Sequence, residues 1–170
     1  MPKINSKTCV RIKNKVVTLK PNCFYKTITN FIKLNMKISK IEHLGIAVKS
    51  IEEALPYYEN VLGLKCYNIE TVEDQKVRTA FLMVGETKIE LLEPTSEEST
   101  IAKFIENKGA GVHHVAFAVE DGVANALAEC DAAGIRLIDK APRKGAEGLN
   151  IAFLHPKATQ GVLTELCEKP

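Results

Sequence analysis

One motif occurs twice in this chain, and that duplication limits the folds open to it more than any compositional fact. Ile41-Glu42-His43-Leu44-Gly45-Ile46-Ala47-Val48 reads again as Val112-His113-His114-Val115-Ala116-Phe117-Ala118-Val119. Each copy is followed by an alternating apolar segment with a carboxylate at its centre, Lys88-Ile89-Glu90-Leu91-Leu92 and Leu163-Thr164-Glu165-Leu166. His43 and His114 stand 71 residues apart and Glu90 and Glu165 stand 75 apart, so the two halves keep register with a slippage of four. A duplicated module that supplies one histidine and one glutamate per copy can bring four ligands together at a pseudo-two-fold axis. The pattern points to a metal site.

The chain has 170 residues and is 45% hydrophobic, which suits one globular domain of ordinary core size. No apolar run approaches the length of a membrane span, so no membrane partner is expected. Five cysteines are odd in number and scattered, without a C-x-x-C pair. They indicate neither a disulfide framework nor a zinc knuckle, and a reducing, cytoplasmic setting is the simple reading. The net charge of +2 is unevenly spread. From residue 38 onward there are 14 basic and 21 acidic residues, a net charge of −7, which argues against nucleic acid as a partner.

Residues 1–37 carry nine basic residues and no acidic one, show neither a period of two nor of 3.6, and hold Pro21 in their middle. They are expected to form a disordered N-terminal extension. Met36 runs directly into the first motif and is expected to be the true start. A targeting peptide, which would place the protein in an organelle matrix, is the competing reading.

The rest, 38–170, reads as one α+β domain of two tandem βαβββ modules, 41–93 and 112–168. After the strand at 41–48, Ser50 with Glu53 forms a capping box. The helix that follows is expected to bury Ala54, Leu55, Tyr58, Val61 and Leu62 and to stop at Gly63. Strands over 65–71, 77–84 and 87–92 follow, the last two joined at Gly85-Glu86. Ser99 or Thr100 opens a helix running to Gly109. In the second module the order is strand 112–119, helix 121–133, strand 136–139, a loop with Pro142, Gly145 and Gly148, strand 150–154, a turn at His155-Pro156-Lys157, and strand 161–167. The strands of His43 and Glu90 are expected side by side in a cupped sheet, and likewise those of His114 and Glu165.

A single histidine on an apolar strand is more often a hydrogen-bonded core residue than a ligand. A glutamate amid apolar neighbours is harder to dismiss, because a carboxylate buried without a partner costs several kcal/mol. Two of each at matching positions favour the ligand set His43, Glu90, His114 and Glu165. His113 is expected to face away from His114, since strand neighbours point to opposite faces. His155 reads as a turn residue, and Lys157 as a candidate for an anionic substrate group. Two imidazoles and two carboxylates suit Co²⁺, Mn²⁺, Fe²⁺, Ni²⁺ or Zn²⁺, with two octahedral positions left for substrate oxygens.

At these residues the chain resembles the vicinal oxygen chelate superfamily, also called glyoxalase-like, and within it most closely the methylmalonyl-CoA epimerase family. The resemblance spans residues 38–168. It rests on Ile41 to Val48, Pro56-Tyr57-Tyr58 with Leu62-Gly63, Lys88 to Pro94, Ser99 to Phe104, Gly111 to Phe117 and Ile151 to Leu166. It implies a metal-bearing cup with His43, Glu90, His114 and Glu165 as ligands, Co²⁺ being the ion first expected, and a homodimer. The implied reaction interconverts (2R)- and (2S)-methylmalonyl-CoA by removing and returning the α proton, the dication stabilising an enolate. Some relatives carry a glutamate base where this chain has Thr79, so Glu165 or Glu90, or a metal-bound water, becomes the candidate for one base. Two other superfamily activities, lactoylglutathione lyase and extradiol dioxygenase, and a non-catalytic binding module, are the competing readings.

Overall fold

A computed structural model describes residues 9–12, 15–18 and 34–169. In the N-terminal unit, β1 (Cys9–Ile12) and β2 (Lys15–Thr18) pair antiparallel. The rest of the expectation for residues 1–33 lies outside the described residues. The second unit begins at Leu34, four residues earlier than the sequence suggested. Residues 34–37 belong to it because Leu34 and Met36 pack on the core around the third helix, while the amides of Asn35 and Met36 donate to Glu129 Oε2 at 2.6 and 3.0 Å.

The first module comprises β3 (Ile38–Ala47), α1 (Ile51–Pro56), β4 (Cys66–Val72), β5 (Val77–Val84) and β6 (Thr87–Pro94). A link helix, α2 (Thr100–Lys108), leads to the second module: β7 (Gly111–Val119), α3 (Val123–Ala132), β8 (Arg143–Lys144), β9 (Asn150–Leu154) and β10 (Thr164–Glu168). All eight strands from β3 on form one sheet in the order β4-β5-β6-β3-β7-β10-β9-β8. That order is its own mirror about the β3–β7 contact, as a duplicated module requires. Within each module the first and last strands pair in parallel, β3 with β6 and β7 with β10, and β3 meets β7 antiparallel.

Period-two alternation sorts the side chains onto two faces. On β5 and β6, Ala80, Leu82 and Leu91 face α1 and pack with Val48 and Ile51. Thr79, Phe81, Glu90 and Leu92 face the other way and line a cavity. In the second module α3 packs Val123, Ala126, Leu127 and Cys130 against Ala152, Leu154 and Leu166. Fully burying a side chain such as Leu82 or Leu91 stabilises the fold by about 2–3 kcal/mol. The sheet is thus covered by α1 and α3 on one face, while the other, where Ile101 of α2 packs on Leu92, holds a polar cup.

The structure departs from expectation in two elements. The first helix starts as predicted, with Ser50 Oγ accepting from the Glu53 amide at 3.3 Å, but after Pro56 it widens into a π turn over Tyr57–Val61. Pro56 has no N–H to donate, and the extra residue in the wide turn shifts the phase of the apolar stripe. Leu64 joins Ala54, Leu55 and Tyr58 against the sheet, while Val61 and Leu62 are exposed. The strand expected over 136–139 reduces to a single bridge between Leu137 and Leu154. The partner of β9 on its outer edge is instead the two-residue β8, because the Asp139 carboxylate takes the Phe153 amide at 2.8 Å that a full ladder would have used.

Ser99 caps α2, its Oγ accepting from the Ile101 amide at 3.2 Å, and is itself buried. Ser99→Ala is expected to cost about 1 kcal/mol, read as a lowered midpoint in chemical denaturation with an unchanged slope.

Candidate metal centre

The strand registers determine which side chains meet. Gly45 lies opposite Glu90 in the parallel β3–β6 pair, and Ala116 lies opposite Glu165 in the parallel β7–β10 pair. His43 and His114 each precede those partners by two residues and therefore share their face. The four predicted ligands converge as expected, and all four are buried. His43 Nε2 stands 3.0 Å from His114 Nε2, 3.3 Å from Glu90 Oε2 and 3.8 Å from Glu165 Oε1. His114 Nε2 is 3.5 Å from Glu90 Oε2 and 3.4 Å from Glu165 Oε2.

Donor atoms about 2.1 Å from a common ion stand roughly 3.0–3.4 Å apart when adjacent, so these separations fit one divalent ion with little adjustment. The donor chemistry fits as well. Two carboxylates lie out of water with His43 as their nearest cationic partner, an arrangement that a dication would neutralise. His43, His114 and Glu165 have donor atoms mutually within 4.8 Å, and Glu90 joins them through its contacts to both imidazoles.

Two bulges give this centre features that alternation alone did not predict. In the antiparallel β3–β7 pair, Ile41 and His43 face Phe117 and Ala116, so Glu42 is the extra residue; Gly45 and Ile46 face His114 and Val112, so His113 is the extra residue. A bulge sets two consecutive residues against one and can turn both to the same side. His113 does not face away from His114: its Nδ1 lies 2.9 Å from His114 Nδ1, and it lines the same cavity. Symmetrically, Glu42 Oε2 lies 2.6 Å from His43 Nδ1. Each imidazole is thus held at Nδ1 by the residue before it, leaving Nε2 to face the centre; the Glu42 carboxylate is the usual kind of outer group on a metal-binding histidine, and His113 takes that place on His114.

The electrostatics of the ion-free cluster follow from burial and these contacts. Burial opposes ionisation of Glu42, yet hydrogen bonds from His43 and Lys88 outweigh it and hold the carboxyl at about 2. Burial likewise disfavours a charged His43, but Glu90, Glu42 and Glu165 around it raise its pKa to about 9. His114 is pushed well below the ordinary histidine range by burial and by the positive charge on His43. Burial raises Glu90, and it raises Glu165 to about 8 against the pull of His43.

A cavity of about 200 Å³ opens over the centre, walled by Phe81, Leu92, Ile101, His113 and Phe153. Thr79 is buried in the same wall, its hydroxyl donating to the Glu70 carbonyl at 3.4 Å. Arg143 also lines the cavity and lies over Phe153 at 5.4 Å. Lys157 is outside the lining, in the turn after β9, where its amide donates to His155 Nδ1 at 3.0 Å. Three residues of the site went unpredicted. Lys88 was legible, because it lies two residues before Glu90 on one strand and so shares its face. Glu42 and His113 were not, because a bulge leaves no mark in hydrophobic periodicity.

A curled, duplicated sheet with a histidine–carboxylate cup defines a class of small-molecule enzymes and binding proteins, and residues 42–153 match the model of the glyoxalase/bleomycin resistance protein/dioxygenase superfamily. The chain is 47% identical to the uncharacterized protein YqjC of Bacillus subtilis, over 77% of this chain and 93% of that one. It is 40% identical to the ethylmalonyl-CoA/methylmalonyl-CoA epimerase of Cereibacter sphaeroides, over 76% of this chain and 97% of that one. A variant of the Streptomyces coelicolor methylmalonyl-CoA epimerase, in complex with 2-nitronate-propionyl-CoA, superposes with a TM-score of 0.75 at 36% identity, over 78% of this chain and 96% of that one. The chain belongs to the methylmalonyl-CoA epimerase family of this superfamily.

Proposed function

We propose that this protein interconverts the (2R) and (2S) forms of methylmalonyl-CoA, with His43, Glu90, His114 and Glu165 holding a divalent ion, Co²⁺ first among the candidates. The observation that carries this reading is the convergence of His43 Nε2 and His114 Nε2, 3.0 Å apart, with a carboxylate from each module beside them under the apolar cavity. When bound, the ion supplies electrophilic stabilisation of the negative charge that builds on the thioester oxygen as the α proton leaves.

The protein's own groups do the rest. The apolar walls exclude water from the α carbon, and the absence of competing solvent strengthens every charge interaction inside. Epimerisation needs a proton acceptor toward each face of that carbon. Glu90 and Glu165 come from opposite modules, on β6 and β10 flanking the central β3–β7 pair, which suits one carboxylate to each face. Burial raises the proton affinity of both in the ion-free centre, and a bound dication would lower it again, so a carboxylate acting as base would work through the oxygen that the ion does not hold. Thr79 stands where some relatives are expected to carry a glutamate, and its hydroxyl donates to a backbone carbonyl, so it does not take that role here. Among the described residues no helix is long and apolar enough to cross a membrane.

The test is α-proton exchange. Co²⁺-loaded protein in D₂O with methylmalonyl-CoA is expected to incorporate deuterium at the α carbon by NMR, and chelation is expected to stop it. Glu165→Gln that still binds metal should lower exchange by about 100-fold or more, the usual worth of a general base. Full turnover in that variant would remove Glu165 from the role, and no exchange in metal-loaded wild type would move the reading to another reaction of the superfamily.

A further inference from the structure

Lys88 has two carboxylate partners and no place in the reaction above. It is buried on β6, directly opposite His43 in the strand register, with Nζ 2.5 Å from Glu42 Oε1 and 2.6 Å from Glu147 Oε2. These partners belong to different parts of the site. Glu42 is the bulge residue whose other oxygen meets His43 Nδ1 at 2.6 Å. Glu147 lies in the segment between β8 and β9, which lines the cavity from the second module through Arg143, Ala146 and Glu147.

That segment is held across the cup by more than one tie. The Glu147 amide donates to Glu70 Oε1 at 2.6 Å, and the Tyr67 hydroxyl donates to Glu147 Oε1 at 3.0 Å. Tyr67 and Glu70 are both on β4, the far edge of the first module. Glu147 also adopts a left-handed backbone, φ 51°, a conformation that costs a non-glycine residue roughly 1–2 kcal/mol and persists only where its surroundings enforce it. Stability alone gives little reason for this arrangement, since a buried ion pair is often no better than apolar residues of the same volume. What it does provide is a fixed geometry linking the imidazole of His43, through one lysine, to the segment over the cavity.

We propose that Lys88 is a positioning residue: through Glu42 it fixes the ring of His43 for metal binding, and through Glu147 it latches the 143–149 segment over the same site, so that metal binding and closure of this segment are coupled. The proposal rests on the metal reading above. Because coupling is reciprocal, an ion that tightens His43 and Glu42 must lower the equilibrium population of the open segment, and opening of the segment must weaken the ion by the same factor.

The experiment compares the full-length wild type with Lys88→Met, Lys88→Arg and Glu147→Gln. Co²⁺ is titrated by calorimetry and by its visible absorption, and amide hydrogen exchange over 143–149 is followed with and without the ion. In wild type, Co²⁺ should slow exchange over that segment. Lys88→Met should lower Co²⁺ affinity about 10–100-fold, the range for outer groups of a metal site, alter the absorption envelope and abolish the slowing. Lys88→Arg should recover part of both. Glu147→Gln, which keeps the Lys88–Glu42 pair, should lose the slowing and weaken the ion by about tenfold, the low end of that range. If Lys88→Met does not fold, Glu147→Gln decides alone. Wild-type affinity, absorption and slowing in a folded variant would overturn the proposal. Failure of the wild type to bind Co²⁺ would instead overturn the metal reading, and the positioning role with it.

Discussion

Gly45→Ala is expected to give a folded protein that has lost its metal centre, with Co²⁺ affinity lowered on the order of 100-fold or more. A β carbon at Gly45 would lie 2.2 Å from His114 Cε1, 2.5 Å from Nδ1 and 2.7 Å from Nε2, so the imidazole cannot stay where it is. The glycine is there for room and not for backbone freedom, since its φ is not among the positive ones. Alanine therefore adds no backbone strain, and the cost falls on a single ring. That ring is pinned from behind by His113 Nδ1 at 2.9 Å and edge-on by Phe153, with ring centroids 5.4 Å apart, so it has no second position that keeps Nε2 on the centre. The symmetric position shows the same demand relaxed by one methyl: His43 lies opposite Ala116. Calorimetric titration with Co²⁺, alongside circular dichroism and a thermal melt without metal, checks both halves of the expectation. Unchanged affinity would mean that the His114 ring is far less constrained than its neighbours indicate, and a collapse of the metal-free fold would mean that the glycine serves the sheet.

Gly45 also illustrates what the sequence reveals and what it hides. The repeat made His43, His114, Glu90 and Glu165 legible as a set, because four polar residues at matching places in apolar strands have no common explanation in core packing. The same repeat gave the modular sheet, since a period of two specifies faces and helix caps such as Ser50 and Ser99 mark the turns between elements. It could not give the bulges at Glu42 and His113, because the register of a strand depends on its partner and not on its own pattern. For that reason simple alternation puts His113 on the wrong face. The phase shift after Pro56, which exposes Val61 and Leu62 in place of Leu64, has a local cause, the wide turn closed from the Leu62 amide to the Tyr57 carbonyl, which a strict 3.6 period does not describe. The strand expected at 136–139 failed because one side chain, Asp139, takes an amide that the ladder needed. The bulges and the lost strand concern hydrogen bonds between separate segments, where the periodicity of one segment carries no information.

Chelating the ion is expected to destabilise the protein more at pH 8.5 than at pH 6.5, and the sign follows from two groups of the centre. In the ion-free protein His43 is raised from an ordinary 6.5 to about 9, first against burial and then by Glu90 and Glu42. Its contribution to stability is complete below about 6.5 and is lost as pH rises through 9. Glu165, raised by burial from 4.5 to about 8, behaves likewise: the folded state holds its proton more tightly than the unfolded chain does, so stability falls as pH rises from 4.5 through 8. The neighbouring groups do not reverse this trend. Glu42, held at about 2, contributes fully above 4.5, and His113, lowered to about 4 by burial, is neutral in both states above the ordinary histidine range. A divalent ion displaces the same protons, so its affinity climbs over the window in which the ion-free protein weakens. At a free ion concentration a thousandfold above Kd the ion is worth about 4 kcal/mol, a rise in Tm on the order of 10 °C or more. Thermal melts at pH 6.5, 7.5 and 8.5, with saturating Co²⁺ or with chelator, should therefore show a gap that widens with pH, and a constant gap would show that neither group titrates in the window. Glu165→Gln sharpens the comparison by removing one of the two titrations. Without metal it should melt above wild type at pH 8.5, and its gap between the Co²⁺ and chelator melts should widen less with pH, because His43 alone still titrates in the window.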